Sequence, residues 1–165
     1  MNTSQSLAEI MLAEWQQIRQ LTYDYLDGLE SRHLELRLPF ATSQTLGYQF
    51  WCMVGAHESY LKALEYGSWQ GFASSLDQLA EVTPATIKQQ MQQADAKLAQ
   101  LLQTLEINAS LSSGQPGYSV VFQMIKHEMH HHGQFINFLF CHQLPIPPSW
   151  QEEWALSYED APSVE

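Results

Sequence analysis

Apolar residues recur at threes and fours along four stretches of this chain, and no stretch of useful length alternates apolar with polar. The first stretch runs from about Ser6 to about Leu29, with Leu7, Ile10, Met11, Ile18, Leu21 and Tyr25 on its stripe and Gly28 at a soft end. The second runs from about Ser43 to about Tyr66, carrying Leu46, Phe50, Met53, Val54, Leu61 and Leu64; Thr42 or Ser43 can cap it and Gly67 can close it. The third has the clearest start. Thr83 is a good N-cap and Pro84 occupies the first helical position, where its missing donor costs nothing; Ile87, Met91, Ala94, Leu98, Leu101 and Leu105 follow. The fourth runs from about Ser119 to about His142 with a wide apolar set, Val121, Phe122, Met124, Ile125, Phe135, Ile136, Phe138, Leu139 and Phe140, an arc broad enough for contacts on more than one side. Pro145, Pro147 and Pro148 are expected to end helical structure there, with Trp150 and Trp154 pinning the tail to the body.

These elements predict an all-α chain built as a four-helix bundle. The connection from Tyr66 to Thr83 is long. Fully extended, about sixteen residues reach some 50 Å, more than the ~30 Å length of a twenty-residue helix. The link can therefore return along the bundle and start the third helix parallel to the second; the pattern permits this crossover without requiring it, and simple up-and-down order stays open.

At 165 residues the chain is the size of one domain, read as 1–165 with an acidic, proline-containing tail from about 143. The net charge of -11 argues against nucleic-acid binding, which needs a basic footprint. No apolar run reaches the length of a membrane span. The first positive side chain is Arg19, so the N-terminus lacks the basic region of a secretory signal. Two cysteines, Cys52 and Cys141, form no disulfide framework and suit a reducing compartment, so a cytoplasmic protein is expected.

The candidate chemistry lies in His127-Glu128-Met129-His130-His131-His132-Gly133-Gln134. On a helix, His127 and His131 stack on one face, and neutral imidazole is a common ligand for zinc, nickel, copper and ferrous iron. A third ligand is sought upstream. His57 falls in the middle of the apolar stripe of the second helix and points inward. Alone, an inward histidine reads as a hydrogen-bonded core residue. With antiparallel helices, however, all three imidazoles reach one level, and three protein ligands leave coordination open, as in catalytic metal sites. The His127-Glu128-x-x-His131 spacing also matches the zincin pattern, but Gln134 and Asn137 stand where the extended motif needs glycine and histidine, and no strand is predicted to align a peptide. His130 is expected at the surface and His132 in packing. Glu128 reads as an interhelical acceptor or a proton shuttle, Gln134 as a residue able to orient a ligand, and Cys52, turned away from His57, as a small packing residue.

This run resembles the terminal-helix signature H-x-x-H-H-R-G-Q of the DinB-like family, and Leu144-Pro145-Ile146-Pro147-Pro148 is similar to that family's proline-rich exit. The resemblance implies a four-helix bundle in up-down-down-up order with a long crossover between helices two and three. It implies that His57, His127 and His131 hold a divalent metal ion, nickel, zinc or iron, and that the chain forms a homodimer. It further implies a metal-dependent enzyme, a transferase using a thiol or a hydrolase, acting on a small molecule. A non-catalytic, metal-stabilised dimer with a stress or regulatory role is the alternative. The chain departs from the signature at His132, where the family has arginine.

Overall fold

A computed structural model describes residues 5–159. All the regular structure among the described residues is helical: α1 (Leu7–Asp27), α2 (Leu46–Tyr66), α3 (Pro84–Thr104), α4 (Gly117–His142) and the short α5 (Pro148–Trp154). Two 3-10 turns, Ser31–Glu35 and Ser75–Gln78, lie in the connections.

Local chemistry sets the ends. Ser6 caps α1 in a reciprocal pair with Glu9, and Thr83 caps α3 in the same way with Thr86, behind Pro84. Gly67 closes α2 at φ 76°, a left-handed conformation natural to glycine. Two starts differ from the sequence expectation. Thr45, not Thr42 or Ser43, caps α2, because the Ser43 hydroxyl is taken up by the Leu38 amide and the Gln44 carbonyl. α4 opens at Gly117, two residues early, where the glycine lies close against the Ile107 carbonyl. Nor do the prolines end helical structure. Pro148 takes the first position of α5, the place in a helix that proline tolerates best.

The buried stripe of α1 is rotated from the expected one. Met11, Trp15, Arg19, Thr22, Tyr25 and Leu26 face inward, whereas Ile10 is 45% exposed. The hydrophobic effect decides most inward faces, but here an arginine is buried at 1% exposure.

The apolar core forms two clusters. One gathers Tyr25 and Leu26 of α1, Leu46, Phe50, Met53 and Val54 of α2, Ile87 and Met91 of α3, and Phe135, Phe138 and Leu139 of α4. The other gathers Met11 and Trp15, then Leu61 and Leu64, then Ala94, Leu98 and Leu102, then Val121 and Met124. Along α1 and α4 the chain meets the second cluster before the first; along α2 and α3 it meets them in the reverse order. The connection after α2 retraces that helix: the Ala73 amide donates to the Ser59 hydroxyl, the Phe72 ring lies over Gly55, and Trp51 Nε1 donates to Asp77.

Trp150 anchors the tail as expected. It is fully buried against Tyr25 and His132, and its Nε1 donates to the Leu21 carbonyl at 2.7 Å. Replacing Trp150 by alanine is expected to cost about 3 kcal/mol, the low end for a buried aromatic because α5 can detach locally. Urea denaturation checks this, and a loss below about 1 kcal/mol contradicts it.

Candidate metal centre

α2 and α4 pack side by side and bring three potential ligands together. The ligand atoms of Cys52, His127 and His131 all lie within 4.8 Å of one another. Cys52 Sγ stands 3.6 Å from His127 Nε2, and the His127 and His131 rings meet edge to face at 4.6 Å, as two residues one helical turn apart should. His131 is 3% exposed, and neither of its ring nitrogens has a hydrogen-bond partner. A buried polar atom without a partner is costly, so an imidazole in this setting has a lone pair to offer. Burial, with neighbouring His127 and His130, holds His131 down to about 3; burial also lowers His127. Both rings are therefore neutral at ordinary pH, the form that binds metals.

His57 stands outside this group. Its ring packs on Trp15 at 4.7 Å and its Nδ1 lies 2.9 Å from Arg19 Nη2, while its Nε2 is buried without a partner. The ring belongs to a second assembly, a charged layer between the two apolar clusters. Arg19 Nη1 pairs with Glu128 at 2.9 Å, and Arg19 Nε faces Asp95 at 3.3 Å. Asp95 also accepts from Trp15 Nε1 at 2.9 Å and from the Tyr23 hydroxyl. The Thr22 hydroxyl donates to Glu128 at 2.5 Å and so accepts from His132 Nε2 at 2.8 Å, which fixes the proton of His132 on Nε2. Burial pushes Glu128 up from the carboxylate range, with Arg19 and Thr22 pulling it back.

The remaining sequence expectations fall as follows. Glu128 is an interhelical acceptor turned toward α1, not toward His127. His130 is exposed and His132 is buried in packing against Trp150. Gln134 lies alongside His131. Of the aromatic residues near His57, Phe50 is buried in the core, whereas Tyr60 and Trp69 meet at 5.6 Å and line a cavity of about 140 Å³ with Val120 and Gln123. Cys52, expected as a packing residue, instead stands beside His127, and the burial of Arg19 was not expected. The wheel of α2 turns Cys52 away from His57, and that side meets α4. Arg19 sits four residues after Trp15 and three before Thr22 and so shares their face, but a hydrophobicity pattern assigns a charged residue to solvent.

No family model and no curated protein matches the sequence. Among solved structures, the chain is similar to a DinB-like protein, YjoA, from Bacillus subtilis, with a TM-score of 0.59 at 16% identity, over 82% of this chain and 94% of that one. At that identity the likeness is one of fold.

Proposed function

We propose that this chain is a DinB-like metalloprotein: a four-helix bundle of up-down-down-up order that holds one divalent ion on His127 and His131, with a third ligand from α2. The opposite order of the two core clusters along α1 and α4 against α2 and α3 supports the topology. The observation that carries the function is His131, a buried neutral imidazole with both nitrogens unpartnered, next to two other potential ligands. The third ligand is His57 by sequence pattern and Cys52 by position. Zinc, nickel or iron suits such a set.

With three protein ligands and an open position, a bound divalent ion supplies Lewis acidity that makes a nucleophile of water or a thiol near neutral pH. The activity that fits is a transferase using a thiol, or a hydrolase, acting on a small molecule. The chain's own contribution is to keep His127 and His131 neutral by burial. Phe122 and Met129 leave apolar surface on the outer side of α4, which supports a homodimer through that helix.

A specific observation favours a second reading. Glu128, the only acid–base candidate in the motif, is locked to Arg19 and Thr22. A metal-stabilised module without catalysis is consistent with that. A screen of metal-loaded protein against thiol, ester and amide substrates separates the two readings, with turnover supporting the enzyme.

The metal itself is tested by elemental analysis of protein purified without a histidine tag. The expected result is close to one divalent ion per chain in the parent and a small fraction of that in His131→Ala. Loss of a direct ligand should exceed the ~10–100-fold affinity cost of losing an outer partner. Equal metal in both proteins removes the site.

A further inference from the structure

We infer that the third ligand is the thiolate of Cys52 rather than the imidazole of His57, giving a Cys-His-His site with one open position. The inference rests on the metal-binding reading above and deepens it.

Two independent features carry it. The first is the orientation of His57. A guanidinium has donors only, so at 2.9 Å from Arg19 the His57 Nδ1 must be the acceptor. The single proton of a neutral ring whose Nδ1 accepts sits on Nε2, and that nitrogen then has no lone pair to give. Reversing the tautomer would place an N–H against a cation at 2.9 Å, and Asp95 Oδ1, at 3.7 Å, is too far to accept from it. Arg19 cannot readily withdraw, because Glu128 and Asp95 hold it on its other edges. His57 is thus committed to the charged layer.

The second feature is the position of Cys52. With metal–sulfur bonds of about 2.3 Å and metal–nitrogen bonds of about 2.0–2.1 Å, the sulfur-to-nitrogen edge of a tetrahedral site is about 3.6 Å. The separation from Cys52 Sγ to His127 Nε2 is 3.6 Å. His131, nine-tenths buried and unpartnered, lies within the same group. The other cysteine, Cys141, is exposed and outside the cluster. On binding, the Sγ–H bond breaks, its proton goes to solvent, and the sulfur lone pair forms the bond to the ion. A thiolate brings softness and negative charge that three imidazoles lack, so the site favours zinc over ferrous iron.

Cobalt(II) replacing the native ion in tag-free full-length protein tests this spectroscopically. The parent should show visible ligand-field bands together with a sulfur-to-cobalt charge-transfer band in the near ultraviolet. Cys141→Ser and His57→Ala should keep both. Cys52→Ser should lose the charge-transfer band and bind cobalt at least about tenfold more weakly. Because a substitution can perturb folding, alkylation of the parent gives a second reading: cobalt should protect one thiol, identified as Cys52 by mass spectrometry. Ligand-field bands without the charge-transfer band in the parent, or alkylation of Cys52 at one rate with and without cobalt, overturns the Cys52 assignment and leaves metal binding by the histidines intact. Loss of cobalt binding in His57→Ala with Cys52→Ser unaffected also overturns it. Absence of both band types overturns the metal-binding reading as well.

Discussion

Replacing Arg19 by alanine should lower the unfolding free energy by about 3–5 kcal/mol, the cost of breaking a buried ion pair by removing one partner. Arg19 is 1% exposed and Glu128 is 2% exposed. In the variant Glu128 keeps the Thr22 hydroxyl but loses its counter-charge at 2.9 Å, and Asp95 loses its contact at 3.3 Å. The guanidinium also lies over the Trp15 ring at 4.5 Å and contributes packing that alanine cannot replace. For a chain of this length the expected fall in Tm is on the order of 10 °C. Arg32, paired with Glu30 on the surface with its side chain 74% exposed, is the control: its replacement should cost less than about 1 kcal/mol. Removing both charges, as Arg19→Met with Glu128→Leu, should recover much of the loss, because the uncompensated charge goes with its partner. Urea denaturation of the parent and the three variants decides the matter, and equal midpoints for the parent and Arg19→Ala would falsify the view that this pair is structurally essential.

Acid should destabilise the metal-free protein well above the pH at which carboxylates usually titrate. Burial holds both His131 and His132 down to about 3, from an ordinary value of 6.5. Above pH 6.5 both are neutral whether the chain is folded or unfolded, and their contribution to stability is fully present. As pH falls from 6.5 toward 3, the unfolded chain takes up protons that the fold excludes, and stability declines. One excluded proton corresponds to about 1.4 kcal/mol per pH unit, so two approach a slope of about 2–3 kcal/mol per unit between pH 6 and 4. His57 and His127, also lowered by burial, act in the same direction. Glu128 acts against them. Its raised value means that the folded state holds its proton at higher pH than the unfolded state, and some stability returns as pH falls through that window. The histidines outnumber it, so the net sign is loss on acidification. A thermal midpoint of chelator-treated protein that stays level from pH 7 to pH 4 contradicts this reading.

Much of the architecture was legible in the sequence because periodicity is a property of the chain itself. The stripe Ile87, Met91, Ala94 and Leu98 with its Thr83 cap and Pro84 appears in α3 almost as written. The ends that escaped depend on neighbours. Thr45 becomes the cap of α2 only because Ser43 is engaged elsewhere, and Gly117 joins α4 where it meets the Ile107 carbonyl. In the site, the histidine pair of α4 was readable from a spacing of four. The neighbours of His57 were not, because its wheel position said that it points inward but not what waits there. Arg19 waits there, and an arginine inside a bundle is among the residues a hydrophobicity pattern assigns to solvent. Cys52 was hidden for a related reason: the wheel of one helix does not show which of its sides meets a given neighbour.

The charged layer between the two apolar clusters also acts as a ruler. Leucines and phenylalanines slide past one another at small cost, since a core accepts many arrangements of similar volume. Arg19, Asp95, Glu128 and His57 do not, because each comes from a different helix and must meet the others at one height. Displacing any one rod by a single turn would bury an unmatched charge, and so the layer ties all four helices to one register. The same requirement applies to an exchange of helices between two copies of the chain: an arm from one copy can replace its counterpart only by bringing its share of the layer to the same level.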